Sequence, residues 1–432
     1  MDRKVAGCAT LDGAVSLPGD KSISHRALIF SAIAQGRARI GNLSPGADCR
    51  STMACLGQLG VEMEELCLSP LAVEVWGVGG SGLREAEDVL DAGNSGTTMR
   101  LLAGLLAAQP FLSIITGDRS LRSRPMGRIM DPLGLMGARV WGRGAGTLAP
   151  LAIRGGDLEG ISYRLPVASA QLKSALLLAG LFARGETTLE EPGPSRDHSE
   201  RMLRAMGARL EGENGRITIF PLSQPLKAGD VTVPGDISSA AYWLVAGAMH
   251  PHARVRLGRV GINPTRSGVL DALRAMGAKL EIGKEGWEGG ELVADLKIES
   301  SELRGIDLEG DMIPRTIDEL PLLAVAASAA RGNTTIRQAE ELRVKESDRI
   351  ATTVRELSRL GVDIEELPDG MVIRGGGGIR GGEVDSHHDH RLAMALAVAG
   401  LVGRGEVVLH NAEAVDISYP AFWRDLDTLT GK

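Results

Sequence analysis

Aromatic residues and cysteines are scarce in this 432-residue chain, and a surplus of positive charge is absent. Phe, Trp and Tyr together make up 3% of the residues. The four cysteines all lie in the N-terminal half, and their spacings fit neither a zinc or redox Cys-x-x-Cys pair nor a disulfide framework. The net charge of −7 lacks the basic surplus of proteins that bind nucleic acids or acidic membranes. We therefore expect a protein of a reducing compartment, with no nucleic-acid or membrane partner.

Long apolar runs are also missing. No stretch of about 18 residues is free of charge, as a transmembrane helix would be. The start, MDRKVAGCATLDGAV, has no apolar core of a signal peptide, so we expect a cytoplasmic protein. Glycine, in contrast, is abundant at 57 residues, roughly twice its average usage. This composition predicts many tight turns, and the length predicts two large domains.

One helix-to-strand pattern recurs along the whole chain. A helix-like segment ends in Leu-x-x-Leu/Met-Gly and leads into a β-branched strand, with its glycines at Gly60, Gly137, Gly207, Gly277 and Gly361. Each glycine stands where a helix needs a left-handed residue before the chain turns into a strand. An Ala-rich helix followed by a turn and a strand alternates with this pattern, as in LLLAGLFARGETTLEEP and LAVAASAARGNTTIRQA. Together the two patterns predict about six similar units.

The composition of these helices indicates how the units are arranged. Helices rich in Ala and Leu on all sides are buried rather than surface-lying. We therefore predict an α/β (α+β) fold of two similar domains, each of three units with helices inside and sheets outside. VSLPGDKSISHRAL and VTVPGDISSAAYWL are equivalent phrases that mark where the chain crosses between domains. The predicted domains are residues 21–233 and residues 1–20 with 234–432, joined by two hinge crossings.

Basic residues follow the first Pro-Gly-Asp turn. Lys21, Ser22 and Arg26 open a helix, where free N–H groups and the helix dipole attract anions. The second turn lacks the Lys and Arg, so the turn itself does not require them. We therefore interpret these three residues as an anion-binding set.

Two further helix starts in the N-terminal half are less specific. The glycine-rich turn before Gly96 could hold a phosphate or carboxylate, or could be a simple capped turn. Ser169 and Gln171 could likewise bind a ligand or cap a helix.

An arginine-rich segment, GDRSLRSRPMGR, lies between these two helix starts. Arg124 precedes Pro125, which fixes the turn, and Arg124 is the expected ligand contact. Arg119 and Arg122 are expected to be solvated.

The C-terminal half carries two charged segments before helices. Asp318 begins an apolar helix, and RVKESDR places Lys345, Glu346 and Arg349 close together. On one helix Lys345 and Arg349 would be i,i+4 neighbours, which repel unless an anion lies between them. A solvated helix with internal ion pairs is the alternative.

The segment DSHHDHR is the second of these. Asp389, His390 and Arg391 precede another buried helix. We interpret the histidines as part of a helix cap rather than a metal site, because zinc sites use spaced histidines with carboxylate or thiolate partners.

The motifs taken together resemble those of a known family. PGDKSISHRA, AGNSGTTMR, SRPMGR, ASAQLKSALLLAGL, SRDHSERML, RVKESDR and DHRLAMALA occur in this order, and with them nearly the whole chain resembles the EPSP synthases. The resemblance implies two domains of three βαβαββ units, an inside-out α/β barrel, closing around the substrates. It implies enolpyruvyl transfer from phosphoenolpyruvate to the 5-hydroxyl of shikimate 3-phosphate, in a monomer without metal or cofactor.

The resemblance also implies a role for each motif residue. The residues implied for shikimate 3-phosphate are Lys21, Ser22, Arg26, Ser169, Gln171, Ser195, Arg196, Asp318 and Lys345. Those implied for phosphoenolpyruvate are Lys21, Gly96, Arg124, Gln171, Arg349 and Arg391. The implied catalytic residues are Asp318 as the base, with Lys21, Glu346 and His390.

Three positions depart from the family pattern. Ile417 stands where many members carry a Lys, Glu341 replaces a frequent Asn, and Ala170 lacks a hydroxyl. Two other readings remain open. The chain could transfer enolpyruvyl to UDP-N-acetylglucosamine, although FLSIITGDRSLRSRP lacks the Cys common in that family. It could also be a non-catalytic, anion-binding repeat scaffold.

Overall fold

A computed structural model describes residues 1–213 and 215–431. The chain forms two compact units. The N-terminal unit comprises Gly19–Val233 with Glu288–Glu291, and the C-terminal unit comprises Met1–Pro18, Pro234–Trp287 and Leu292–Lys432. Two segments of the chain, the N-terminal Met1–Pro18 and the long C-terminal part, thus belong to the same unit. The segment Glu288–Glu291, which joins the N-terminal unit, was not anticipated.

The N-terminal unit repeats one sheet three times. In each four-stranded sheet the first strand pairs parallel with the second, and the remaining pairs are antiparallel. In sheet order, the strands of the first sheet are Val231–Thr232, Gln35–Gly41, Leu71–Val78 and Glu62–Leu68. Those of the second sheet are Leu90–Asp91, Leu112–Thr116, Leu148–Arg154 and Arg139–Gly142. Those of the third sheet are Ser162–Arg164, Thr187–Glu190, Arg216–Ile219 and Leu210–Glu213.

The C-terminal unit repeats the same sheet with one variation. Two sheets keep the pattern. The first has the strands Leu11–Val15, Ala253–Gly261, Glu291–Glu299 and Lys279–Ile282, and the short strand Gly286–Glu288 also pairs with Glu291–Glu299. The second has the strands Asp307–Leu308, Asn333–Ile336, Gly370–Arg374 and Asp363–Leu367. In the third sheet Arg380–Asp385 pairs parallel with Arg404–His410, which pairs antiparallel with Arg3–Val5. The N-terminal strand therefore completes the last sheet of its own unit.

Helices lie between these strands in both units. In the N-terminal unit they are Lys21–Ala32, Ala47–Gln58, Gly96–Ala107, Gly127–Leu135, Arg143–Gly146, Ala170–Gly180 and His198–Ala205, with a 3-10 turn at Leu121–Ser123. In the C-terminal unit they are Ile237–Met249, Gly268–Ala275, Met312–Thr316, Leu320–Ala329, Arg349–Arg359, His390–Val402 and Phe422–Thr430, with 3-10 turns at Glu340–Val344 and Ala412–Ile417. No helix among the described residues is long and apolar enough to span a membrane.

The Ala- and Leu-rich helices form the interior, as the sequence predicts. Every residue of the helix Gly96–Ala107 except Arg100 is buried, and so is every residue of Leu320–Ala329 except the last. Each unit has its own apolar core built around such helices. Burial on all sides explains why these helices show no polar face.

The recurring glycines have the predicted conformation. Gly60, Gly137, Gly207, Gly277 and Gly361 all have φ between +80° and +108°. This left-handed backbone favours glycine and ends each helix before the following strand. The repeat identified in the sequence is therefore a repeat of local geometry.

Gly104 allows two buried helices to approach closely. A Cβ atom at Gly104 would lie 2.2 Å from the carbonyl oxygen of Ala175, in the helix Ala170–Gly180. The contact is with backbone, which cannot rotate away as a side chain can. The closest approach of these helices therefore depends on the missing side chain.

We expect Gly104→Ala to lower the free energy of unfolding by about 1–3 kcal/mol, because the helices must move apart. The matched control is Gly134→Ala in the helix Gly127–Leu135, where a Cβ meets nothing within 4 Å. The control should be neutral or stabilising, since Ala favours helix more than Gly does. Urea unfolding followed by circular dichroism measures both, and equal stability of the two variants would contradict the close approach.

Candidate functional site

Polar side chains cap the helices that carry the motifs. In the N-terminal unit Asp20, Ser95 and Ser169 accept hydrogen bonds from backbone N–H groups of the helices that follow. In the C-terminal unit Asp348 and Asp389 do the same. Lys21, Gly96, Arg349 and His390 are therefore first residues of helices, where the helix dipole attracts anions. This confirms the predicted placement of these motifs.

Lys21, Ser22, Arg26 and Arg196 come together in the N-terminal unit. Nη1 of Arg196 lies 3.5 Å from Oγ of Ser22, and Nη1 of Arg26 donates to the carbonyl of Ser22 at 2.8 Å. Nζ of Lys21 donates to a carboxylate oxygen of Asp48 at 3.1 Å, so Asp48 offsets part of this positive charge. Three cations and a hydroxyl thus converge near one helix start.

Arg26 is almost fully buried and is held by two hydroxyl groups. Its Nε donates to Ser199 at 2.7 Å and its Nη2 donates to Ser174 at 2.8 Å. Burial lowers the pKa of Arg26 to about 10, against the opposing charge of Glu200. The guanidinium remains charged at neutral pH, but only hydroxyl groups and a carbonyl bond to it directly. An anion beside Arg26 would therefore be strongly favoured.

Ser195 is held by a buried ion-pair network that the sequence did not reveal. Its Oγ donates to Glu191 at 2.5 Å, and Nζ of Lys173 lies 2.9 Å from Glu191 and 2.7 Å from Glu200. Lys173 is 1% exposed and lies near the start of the largely buried helix Ala170–Gly180. A lysine within LKSALLL was the available sequence signal, because a buried lysine needs a carboxylate partner.

Gly96 and Arg124 lie next to each other. A Cβ atom at Gly96 would lie 3.3 Å from Nη1 of Arg124 and 2.6 Å from Nη1 of Arg100. Nη2 of Arg124 donates to Oδ1 of Asn94 at 2.7 Å, which fixes the guanidinium beside the glycine-rich turn. Arg124 is buried, whereas Arg119 and Arg122 are exposed as predicted.

Gln171 is fixed by two neighbours that settle the orientation of its amide. Arg100 donates to Oε1 at 2.7 Å, and Nε2 donates to Oγ1 of Thr97 at 2.9 Å. Because a guanidinium can only donate, the amide oxygen must face Arg100. Ser169 is a helix cap, as one of its two sequence interpretations states.

In the C-terminal unit Arg349 is the centre of a carboxylate cluster. Its Nε donates to Asp389 at 2.8 Å, its Nη2 donates to Glu346 at 2.6 Å, and its Nη1 donates to Asp318 at 3.4 Å. Burial lowers the pKa of Arg349, but Asp389, Glu346 and Asp318 outweigh that effect and raise it above its usual value. Asp389 also caps the helix that begins at His390, so one carboxylate joins two motifs.

Asp318 faces three guanidinium groups. Its Oδ1 lies 3.4 Å from Arg349, and its Oδ2 lies 3.7 Å from Arg266 and 3.9 Å from Arg391. Opposite charges at these distances favour the ionised carboxylate. Arg391 is 5% exposed, and its Nε has no hydrogen-bond partner among the described residues. Arg266 was missed in the sequence because NPTRSG resembles an ordinary turn before a helix.

The predicted i,i+4 relation of Lys345 and Arg349 is wrong. The helix begins at Arg349, and Lys345 has extended backbone angles after the 3-10 turn Glu340–Val344. The residues do not share a helix face, because Asp348 caps the helix. Nζ of Lys345 lies 3.6 Å from Glu341. Burial lowers the pKa of Lys345, partly offset by Glu341 and Asp318.

His390 and Ile417 are the remaining positions singled out in the sequence. His390 is 1% exposed at the start of its helix, and His387 pairs with Glu356 at 2.9 Å. Within residues 1–213 and 215–431 no group of three or more His, Cys, Asp or Glu could hold a metal ion. Ile417 ends the 3-10 turn Ala412–Ile417 and is half-buried. No lysine occupies its place, and the structure does not indicate a substitute for that charge.

These arrangements suit small substrates with several negative charges. Each unit presents arginines or lysines at the starts of buried helices, with donors fixed before a ligand arrives. The C-terminal unit adds an ionisable carboxylate, Asp318, that could accept a proton. The two sets together offer binding and acid–base groups.

Sequence comparison places the whole chain in one family. The model of the family described as "EPSP synthase (3-phosphoshikimate 1-carboxyvinyltransferase)" matches residues 5–426. The chain is 54% identical over 426 residues to the 3-phosphoshikimate 1-carboxyvinyltransferase of Herpetosiphon aurantiacus, covering 98% of both chains. It is 55% identical to that of Roseiflexus castenholzii over 419 residues, covering 96% of both.

Structure comparison agrees with this result. The EPSP synthase of Acinetobacter baumannii is similar with a TM-score of 0.87 and 44% identity, covering 99% of this chain and 98% of that one. The enolpyruvyl transferase NikO of Streptomyces tendae matches with a TM-score of 0.77 at 20% identity, covering 99% and 96%, which shows a shared fold. The predicted two-domain, inside-out α/β fold is therefore confirmed. On the extent of the family match and the identity of its relatives, the chain belongs to the EPSP synthase family.

Proposed function

We propose that this enzyme transfers the enolpyruvyl group of phosphoenolpyruvate to the 5-hydroxyl of shikimate 3-phosphate and releases phosphate. The observation that carries this function is the family match over residues 5–426. The predicted transferase activity of the shikimate pathway and aromatic amino acid biosynthesis follows from the same match. The buried cations at helix starts support it, because both substrates are anions.

The N-terminal unit supplies most of the proposed contacts to shikimate 3-phosphate. Arg26 and Arg196 both lie beside Ser22, and Lys21 begins the same helix. These donors would surround the 3-phosphate. The fixed amide of Gln171, with Ser169 and Ser195, would contact the same substrate, and Lys345 of the C-terminal unit would add a charge. Lys345 and Ser195 each have a carboxylate partner that a phosphate would have to replace.

Phosphoenolpyruvate has its own proposed set of contacts. Arg124 and Gly96 form one part, because the missing side chain at Gly96 leaves the guanidinium accessible. Arg349 and Arg391 form the other part and would bind the carboxylate or phosphate. Lys21 and Gln171 would contact this substrate as well.

Asp318 is the proposed general base. It would take the proton of the 5-hydroxyl as that oxygen adds to C2 of phosphoenolpyruvate, while C3 gains a proton. The tetrahedral intermediate would then lose phosphate as C3 returns its proton. Glu346 and His390 are proposed to exchange the proton at C3 with help from Lys21, and the arginines would stabilise the negative charge.

Several broader expectations also belong to this proposal. We expect a cytoplasmic monomer that uses no metal or cofactor and binds neither nucleic acid nor membrane. We also propose that the family's two domains correspond to residues 21–233 and to residues 1–20 with 234–432.

Phosphate release by the purified protein tests the reaction directly. With phosphoenolpyruvate and shikimate 3-phosphate, and no added metal or nucleotide, we expect phosphate and the enolpyruvyl ether in equal amounts. Omission of shikimate 3-phosphate should abolish the release. Release that requires UDP-N-acetylglucosamine instead would assign the chain to the sister reaction. Binding of both anions without turnover would favour the non-catalytic scaffold.

Asp318→Asn should reduce kcat by about 10²–10⁴-fold, the usual contribution of a general base. The KM for shikimate 3-phosphate should change much less, because an amide of the same shape keeps most contacts. Asp311→Asn is the matched control, since Asp311 is exposed in the same unit. Steady-state kinetics measure both variants, and a kcat near wild type for Asp318→Asn would identify another group as the base.

Gly96→Ala should raise the KM for phosphoenolpyruvate by about tenfold or more, because the new Cβ would lie 2.6 Å from Nη1 of Arg100 and 3.3 Å from Nη1 of Arg124 and so disturbs both guanidinium groups. The KM for shikimate 3-phosphate should change little. Gly57→Ala is the control, because a Cβ at this helical position meets nothing within 4 Å. An unchanged KM for phosphoenolpyruvate in Gly96→Ala would show that Arg124 does not bind that substrate.

A further inference from the structure

The second Pro-Gly-Asp turn has the same local structure as the first but different charges. Asp20 and Asp236 both cap a helix, accepting from Ile23 N and Ser238 N respectively. In the first copy Lys21 and Arg26 follow, whereas their places in the second copy are taken by the uncharged Ile237 and Tyr242. A helix start with free N–H groups still attracts an anion. The second helix start therefore also favours a negatively charged neighbour.

A buried carboxylate of the same unit lies at the second helix start. Oγ of Ser238, in the first turn of the helix Ile237–Met249, donates to Oε1 of Glu319 at 2.5 Å. Glu319 is 2% exposed. The position that carries a substrate-binding set in the first copy is therefore filled by the protein's own anion in the second.

Arg266 completes this cluster from a neighbouring turn. Its Nη1 donates to both carboxylate oxygens of Glu319, at 3.0 and 2.8 Å, and its Nη2 donates to Ser238. Arg266 is 3% exposed and precedes the helix Gly268–Ala275. Guanidinium, hydroxyl and carboxylate thus form a closed ring of hydrogen bonds, the geometry in which a buried ion pair is favourable.

The ring lies directly beside the proposed base. Glu319 follows Asp318 in the chain, and Nη2 of Arg266 lies 3.7 Å from Oδ2 of Asp318. Other cations near Asp318 are assigned to the substrates, Lys345 to shikimate 3-phosphate and Arg349 and Arg391 to phosphoenolpyruvate. The negative charges of these substrates would offset theirs. Arg266 is assigned to neither substrate, so, paired with Glu319, it stays beside Asp318 when the substrates bind.

We propose that Arg266, held by Glu319 and Ser238, is a positioning residue that orients Asp318 and keeps it ionised. The proposal rests on the assignment of Asp318 as the base. Arg266 touches no reacting atom and acts through Asp318 alone. Burial lowers the pKa of Arg266, but Glu319 and Asp318 raise it above its usual value, so this cation keeps its charge at every pH at which the enzyme works.

The test is the dependence of kcat on pH in Arg266→Gln. Loss of the cation should shift the acid limb of the profile to a pH about one unit higher, because Asp318 is then protonated more easily. The maximal kcat should also fall by about tenfold or more, because the carboxylate is less well oriented. The KM values for both substrates should change less than threefold.

Three further variants separate positioning from folding. Arg266→Lys retains the charge and should restore the acid limb. Arg266→Gln combined with Glu319→Gln removes both buried charges, which protects folding. It should keep the lower maximal kcat, because Asp318 still lacks its orienting group, while the acid limb returns toward wild type because a negative charge is removed with the positive one. Arg374→Gln is the matched control, because Arg374 also pairs with two carboxylates of this unit but on an exposed sheet. It should leave the profile unchanged.

The possible failures are distinguishable. A lower melting temperature in Arg266→Gln with a wild-type pH profile would show a purely structural role and overturn the positioning proposal. Near-normal turnover in Asp318→Asn would instead remove the base assignment itself. Absence of phosphate release from the wild-type enzyme would contradict the proposed reaction before either variant is considered.

Discussion

Like charges can lie close together inside a protein only where opposite charges or fixed hydrogen-bond partners separate them. The arginines of both units obey this constraint, in two different ways. Arg26 is held by hydroxyl groups and a carbonyl rather than by a directly bonded carboxylate, and burial lowers its pKa in spite of the charge of Glu200. Arg349 and Arg266 are held by buried carboxylates, which raise their pKa. The first arrangement favours an added anion, and the second keeps the cations in place around Asp318.

The buried helices bring these charges to their positions. A helix such as Gly96–Ala107, buried along nearly all its length, can approach solvent only at its ends. Its N-terminal end offers N–H groups that need an acceptor. The capping residues Ser95, Asp348 and Asp389 satisfy some of these groups, and an anionic ligand could satisfy others. The inside-out arrangement therefore creates anion-attracting ends as a consequence of burying the helices.

The two Pro-Gly-Asp turns show how a repeated scaffold takes on different tasks. Both begin a helix with an Asp cap, and both are followed by a serine two positions later, Ser22 and Ser238. In the N-terminal unit Ser22 lies among cations. In the C-terminal unit Ser238 binds Glu319, whose neighbour is Asp318. The two copies share their local backbone, but their side chains differ, so cations lie near one helix start and a buried carboxylate lies near the other.

The sequence alone determined the repeat, the burial of the Ala-rich helices and the placement of most motifs at helix starts. These features are local, because the glycines with positive φ and the capping residues act on their own neighbours. The site residues implied by the family resemblance were also named from sequence. The helix assigned to Lys345 was wrong, because the cap at Asp348 outweighed a periodic pattern that spans only one turn.

Only the tertiary structure decided which groups hold these residues. Ser174 and Ser199 hold Arg26 from 148 and 173 residues away, and Glu319 pairs with Arg266 from 53 residues away. Local patterns carry no information about such contacts, since any buried arginine could in principle use any carboxylate or hydroxyl. Folding selects the partner, because an unpaired buried charge is too costly to remain.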